Sequence, residues 1–263
     1  MERDRELDML ILAYHRVNPE VRDGLSVGPG TLREHLETLL NRGWSNVLLE
    51  EETADGPPGS REQGKSFAIT FDDGYQDNFV HAAPILEDLG LRATVYLVSS
   101  MIDSDEPYPW LNLAPGEFDD LDLHMTTEQL NSAMGRGLFT YGSHSLTHPM
   151  LSELDGEAAS VEIHRSKHDL EDHLGIDVST FCYPAGNFSD ETVRLVKEAG
   201  YRAAVVTPNR YIPETMLTLH RVGIYSHITP SLFSLKTSRT FERAQRTRLF
   251  WSLRSGARRL RTA

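Results

Sequence analysis

Short apolar runs alternate with amphipathic stretches along most of this 263-residue chain, and that rhythm restricts the fold more than any other feature. MLILAY (9–14), SFAITF (66–71), ATVYLV (93–98) and LFTY (138–141) read as buried strands, followed by 180–183, 201–206 and 217–224, with a shorter strand at 47–49. The intervening segments carry helical spacing and helix punctuation. Residues 31–42 place Leu32, Leu36, Leu39 and Leu40 on one face between a Thr31 cap and Gly43, and the stretches 79–89, 158–174 and 190–199 end at Gly90, Gly175 and Gly200. A short helix is expected at 126–134 behind Thr126 or Thr127, and the Pro- and Gly-containing segment 50–65 reads as a loop. About seven strand–helix alternations imply parallel strands joined by right-handed crossovers, an α/β fold that is either a doubly wound sheet or a β/α barrel.

Two segments break the rhythm. Residues 101–125, rich in Asp, Pro and aromatics, read as an insertion over one end of the fold. Residues 239–263 form an Arg-rich helix or tail, so the expected layout is a catalytic domain over 1–238 followed by that segment. The net charge of −13 argues against a nucleic-acid partner, but it is unevenly spread. Eight arginines and one glutamate give 239–263 a net +7, which leaves −20 on residues 1–238. The basic segment is either a solvated tail or a surface for peripheral membrane contact. A single cysteine, Cys182, excludes an intrachain disulfide and a cysteine-rich metal site. No apolar run is long enough to span a bilayer, and the N-terminus does not read as a secretory signal, so a cytoplasmic location is expected.

Polar residues of chemical interest collect just past strand ends: His15, then Asp72 and Asp73 in TFDDG, then His144 and His148 in HSLTH. That is the end of a β/α barrel that carries active sites. Histidines four apart share a face of a helix or helical turn, and with one or both carboxylates they make the ligand set of a catalytic divalent-metal site, leaving a spare carboxylate as general base. The other histidines read as background. His164, His168 and His173 lie on a charged helix, and His35, His81 and His124 carry no role. Tyr108 and Trp110 read equally well as sugar-stacking rings or as loop packing.

TFDDG, SHSLTHP (143–149) and FCYPAG (181–186) resemble the three successive motifs of the polysaccharide deacetylases, the NodB-homology domain of carbohydrate esterase family four, over roughly residues 9–225. The resemblance implies a distorted (β/α)7–8 barrel. It implies a hydrolase that removes N-acetyl groups from N-acetylhexosamine units of a glycan, oligosaccharide or glycolipid and releases acetate. It assigns Asp73, His144 and His148 to a divalent metal, zinc first, with cobalt, nickel, manganese or iron as alternatives. It makes Asp72 the general base and sets the oxyanion against the turn after Tyr183, at the N–H of Ala185. LAYHRV (12–17) resembles the circularly permuted branch typified by poly-β-1,6-N-acetylglucosamine deacetylases, which implies His15 as general acid, with His220 as the competitor. Many members carry an arginine where Cys182 stands; a thiol cannot make the charge-assisted bond that orients the base, so Arg221 is the expected substitute. Two other readings stand beside this one: a non-sugar amidohydrolase on the same fold, and a catalytically silent glycan-binding protein that keeps its metal. Oligomeric state is not legible.

Overall fold

A computed structural model of the protein describes residues 9–20, 23–54, 65–111 and 119–261. The apolar runs form the strands β1 (Met9–Tyr14), β2 (Ser66–Phe71), β3 (Ala93–Leu97), β4 (Phe139–Ser143), β5 (Thr180–Cys182) and β6 (Ala203–Val206). Two further pieces, β7 (Leu219–His220) and β8 (Val222–Gly223), lie either side of Arg221. All pairings are parallel, in the order β7-β6-β5-β4-β3-β2-β1-β8. The two ends of that order are one stretch of chain, so the sheet curls nearly into a closed ring. Residues 219–220 pair with β6 and 222–223 pair with β1, and the step between them is bridged by Arg221 N–H to the Val206 carbonyl and Ile224 N–H to the Ala13 carbonyl, both 2.9 Å. The result is a distorted β/α barrel with helices around it. The single strand expected over 217–224 is therefore two, because the residues on either side of Arg221 pair with different neighbours.

The helices are α1 (Pro29–Asn41), α2 (Ala83–Leu89), α3 (Thr127–Gly135), α4 (Gly156–Leu174), α5 (Asp190–Glu198), α6 (Pro230–Lys236), α7 (Arg239–Gln245) and α8 (Arg248–Arg261). Thr126 caps α3 as expected, while α1 begins earlier than expected because Pro29 suits the first helical position. The strand expected at 47–49 is displaced to Ser45–Asn46, and Leu49–Glu52 forms a helical turn. The basic C-terminal helix is two helices, with Thr247 Oγ1 accepting from the Phe250 N–H to start the second. Of the expected loop and insertion, 55–64 and 112–118 lie outside the described residues.

Strand alternation sorts every barrel residue to one of two layers. Leu10, Leu12, Tyr14, Phe67, Ile69, Phe71, Val95, Phe139, Tyr141, Phe181 and Val206 pack outward in the main core under the helices. Met9, Ile11, Ala68, Tyr96, Cys182, Ala203, Val205 and Leu219 form a separate apolar cluster in the barrel's interior. Glu50 closes the floor: its carboxylate accepts hydrogen bonds from Thr94 and Thr140 at 3.0 Å each and from Thr180 at 3.1 Å. Burial pushes the Glu50 pKa up, against the pull of those hydrogen bonds.

Candidate active site and metal centre

The same alternation carries side chains to the barrel's upper rim. Asp72 follows Ala68 and Thr70 inward, His15 follows Met9 and Ile11, His144 follows Thr140, and Arg221 follows Leu219. His220 has the opposite parity and points away from this site, toward Glu214 and Arg246. The structure thus brings His15, and not His220, to the rim beside Asp72.

Asp73 would fall on the outer layer if β2 simply continued. Instead its backbone turns to φ +72°, Gly74 follows at φ +81°, and the carboxylate swings over the strand end. A side chain at Gly74 has no room, since a Cβ there would lie 2.6 Å from His124 Nε2. His144 and His148 are not on a helix, contrary to the expected helical turn. Ser145 and His148 adopt left-handed φ of +68° and +64°, and Ser145 Oγ accepts from the His148 N–H at 3.0 Å. Pro149 disfavours helical backbone at His148. Of the five non-glycine residues with positive φ among those described, Asp73, Ser145, His148 and Ala185 lie in the three motifs. Such backbone is costly and persists where the surroundings over-determine it, which is typical of functional sites.

Asp73 Oδ1 lies 3.6 Å from His144 Nε2 and 3.7 Å from His148 Nε2. It is buried and has no hydrogen-bond partner. Metal–ligand bonds of about 2.1 Å at a tetrahedral angle separate ligand atoms by about 3.4 Å, close to these two distances, and the three residues' ligand atoms all lie within 4.8 Å of one another, a group that could hold one small cation. His144 Nδ1 lies 2.8 Å from the Cys182 carbonyl, an arrangement that puts the proton on Nδ1 and turns the Nε2 lone pair toward Asp73. Burial, reinforced by the neighbouring His148, lowers His144 to about 3, and burial lowers His148 to about 4 against the pull of Asp72. Both rings are therefore neutral at ordinary pH.

Asp72 has a different environment. Arg221 grips it in a two-pronged fork, Nη1 to Oδ1 at 2.6 Å and Nη2 to Oδ2 at 2.7 Å, with both side chains almost wholly buried. Burial alone would raise the Asp72 pKa, but the guanidinium outweighs it and holds the carboxyl well below the usual range. Asp73 moves the opposite way, raised first by burial and then by the Asp72 charge. Cys182 fills the space between, its Sγ 3.1 Å from Arg221 Nη2 and 3.6 Å from Asp72 Oδ1. His15 Nε2 is 3.7 Å from Asp72 Oδ2, and its ring stacks beside Tyr225. Burial lowers the His15 pKa, opposed by the Asp72 charge.

Several supporting contacts escape sequence reasoning. The backbone around His15 is held by a buried ionic cluster: Arg16 binds Asp77 at 3.2 Å and Asp122 at 2.5 Å, and Asn78 Nδ2 donates to the His15 carbonyl at 2.8 Å. From the insertion, the buried Tyr108 hydroxyl donates to the Asp73 carbonyl, and the half-buried Trp110 ring lies 4.4 Å from that of His148. Tyr183 is buried in the outer core with its hydroxyl on the Leu217 carbonyl, so its backbone rather than its ring is near the motif turn. Ala185 sits exposed at φ +52° in the turn Pro184–Gly186.

Comparison with known proteins places this architecture. YxkH of Bacillus subtilis, a protein named as a polysaccharide deacetylase, is 24% identical over 235 residues, spanning 89% of this chain and 77% of the relative. The poly-beta-1,6-N-acetyl-D-glucosamine N-deacetylase of Staphylococcus epidermidis is 27% identical over 154 residues, covering 53% of this chain and 48% of that protein. Among solved structures, the Streptococcus pyogenes deacetylase PplD in complex with acetate superposes with a TM-score of 0.73 at 21% identity, covering 88% of this chain and 98% of that one. IcaB from Ammonifex degensii superposes with a TM-score of 0.68 at 20% identity, covering 86% and 94%. These likenesses show a shared barrel. The polysaccharide deacetylase profile matches residues 59–204, a segment that contains the TFDDG, SHSLTHP and FCYPAG motifs, and the chain belongs to the polysaccharide deacetylase family.

Proposed function

We propose that the protein is a metal-dependent N-deacetylase acting on N-acetylhexosamine units of a glycan, with Asp73, His144 and His148 holding the metal. The observation that carries this reading is Asp73 Oδ1, a buried carboxylate oxygen without a hydrogen-bond partner that faces the Nε2 atoms of two neutral imidazoles. One carboxylate and two imidazoles suit zinc first, with cobalt, nickel, manganese and iron as alternatives. When bound, such an ion supplies Lewis acidity to the amide carbonyl and lowers the pKa of water.

The chain's own residues supply the proton transfers. Asp72, kept ionised and oriented by the Arg221 fork, takes the proton of the attacking water. His15, in its protonated imidazolium form beside the Asp72 charge, gives its Nε2 proton to the amide nitrogen as the carbon–nitrogen bond breaks and is left neutral. Acetate and a free amine leave. The N–H of Ala185 is the oxyanion donor in this scheme. An acid supplied from β1 is the arrangement of the permuted branch. Trp110, half-buried against His148, offers an aromatic face for a sugar ring. The similarity to the Staphylococcus epidermidis protein supports β-1,6-linked N-acetylglucosamine oligomers as the first substrate to assay.

Zinc-loaded protein is expected to release acetate from these oligomers, and Asp72→Asn to abolish release while retaining zinc. Asp73→Asn is expected to lose zinc, measured by elemental analysis after dialysis. Release from small N-acetyl amides alone would favour the non-sugar amidohydrolase. Zinc retention with no release from any substrate would favour the silent glycan binder.

A further inference from the structure

The C-terminal helix has no part in the chemistry above. One side of α8 is fastened to the body: Trp251 is buried, and its Nε1 donates to the Gln245 carbonyl at 2.7 Å. The opposite side faces solvent with apolar groups. Leu249 and Leu253, one turn apart, are 69% and 67% exposed, more than any other large hydrophobic side chain among the described residues. At about 100° per residue, Arg248 and Arg254 lie about 120° to either side of the stripe's centre, nearer the Trp251 side. Both are exposed. The Arg248 guanidinium lies 5.1 Å over the Tyr211 ring and that of Arg254 lies 5.4 Å over Trp251. Together with Arg210 these residues line an open cavity of about 420 Å³ on the Trp251 side of the helix.

We propose that α8 is an interfacial helix that lies in the plane of an anionic membrane, with Leu249 and Leu253 in the acyl boundary and the flanking arginines on lipid phosphates. An apolar stripe bordered by cations is the pattern of such helices, and each arginine near an anionic leaflet adds to the attraction. Charge selects this occupant over the alternatives. Residues 239–263 carry +7 against −20 on the remainder, so an anionic surface attracts this segment and repels the rest of the chain, which orients the approach. A second copy seated on the same stripe would set two +7 segments against each other. A soluble acidic polymer would use the arginines but leave both leucines in water.

The test is co-sedimentation of the full 263-residue protein with phosphatidylcholine vesicles and with vesicles containing phosphatidylglycerol. Binding is expected to be about tenfold or more tighter to the anionic vesicles and to weaken as salt is raised. Leu249→Ser/Leu253→Ser and, separately, Arg248→Glu/Arg254→Glu should each weaken it about tenfold or more, without a change in melting temperature or zinc content. Absence of vesicle binding overturns the inference, as does undiminished binding by the leucine variant. A concentration-dependent dimer that the leucine variant dissolves, seen by sedimentation velocity without vesicles, also overturns it.

Discussion

Replacing Arg221 by methionine isolates what the fork does for Asp72. The substitution removes two charge-assisted hydrogen bonds of 2.6 and 2.7 Å between groups whose side chains are 2% and 4% exposed. Breaking a buried pair by deleting one partner costs about 3–5 kcal/mol, because it strands the other charge. For a domain of this size that is about 6–20 °C in melting temperature. The pH dependence has a definite sign. In the native protein the Asp72 pKa is depressed, so its contribution to stability is fully present above the unfolded carboxylate value and is lost only as pH falls toward the folded one. In Arg221→Met, burial dominates and the pKa rises above the unfolded value, so the variant loses stability as pH increases through that range. The assay is thermal and urea unfolding of metal-free protein from pH 4 to 8, read as the difference between wild type and variant. Adding Asp72→Asn to the variant should recover much of the loss, because no buried charge then remains unpaired. A single-variant cost below about 1 kcal/mol, or a difference flat with pH, would refute the idea that the fork sets the charge of Asp72.

Three further outcomes follow from the geometry. His15→Ala should lower kcat by about 10²–10⁴ while zinc content is unchanged, whereas His220→Ala, facing out of the barrel, should leave kcat close to wild type; acetate release under saturating substrate checks both. Glu50 has a raised pKa, so its contribution is present below the unfolded carboxylate value and fades as pH rises. Glu50→Gln should therefore gain stability relative to wild type between pH 5 and 8 in denaturant melts. Loading metal-free protein with zinc at pH 5 should release about one proton, measured by calorimetry in buffers of different ionisation enthalpy; no proton, or two or more, contradicts a protonated Asp73 between two neutral imidazoles.

The parallel α/β arrangement was legible because parallel strands are covered on both faces and so appear as unbroken apolar runs, as in MLILAY and SFAITF, whereas the choice of a barrel over a doubly wound sheet came from the family resemblance. The polar cluster was legible because its members sit next to each other at strand ends. What could not be read depends on tertiary partners far away in the chain. Glu50 stands in a polar stretch, and nothing local announces that three threonines of β3, β4 and β5 converge on it. Asp122 binds Arg16 across 106 positions, and Tyr108 reaches the Asp73 carbonyl from the insertion. The HSLTH spacing suggested a helical face because spacing alone does not report backbone hand, and two left-handed residues bring the rings together without a helix. Arg221 was expected on chemical grounds, from the missing arginine at Cys182. Strand parity adds the geometric reason: Arg221 and Cys182 both face inward and meet over Asp72.

The same fork explains why two adjacent carboxylates in TFDDG differ in kind. Both terminal nitrogens of Arg221 are engaged by Asp72, one of them also by Thr70 and the other by Cys182. Its positive charge is therefore directed at Asp72. Asp73 is as deeply buried, but the groups nearest its Oδ1 are two imidazoles that burial keeps neutral. A buried carboxylate in that position must either hold a proton or acquire a cation, since an isolated buried charge is too costly to persist. The Asp72 charge beside it adds to the pressure toward protonation. In the proposed metal site, proton and divalent cation would compete for one oxygen, and the histidines would contribute lone pairs without contributing protons. Cys182 sets a thiol beside Asp72, and Arg221 supplies the fork that keeps Asp72 ionised.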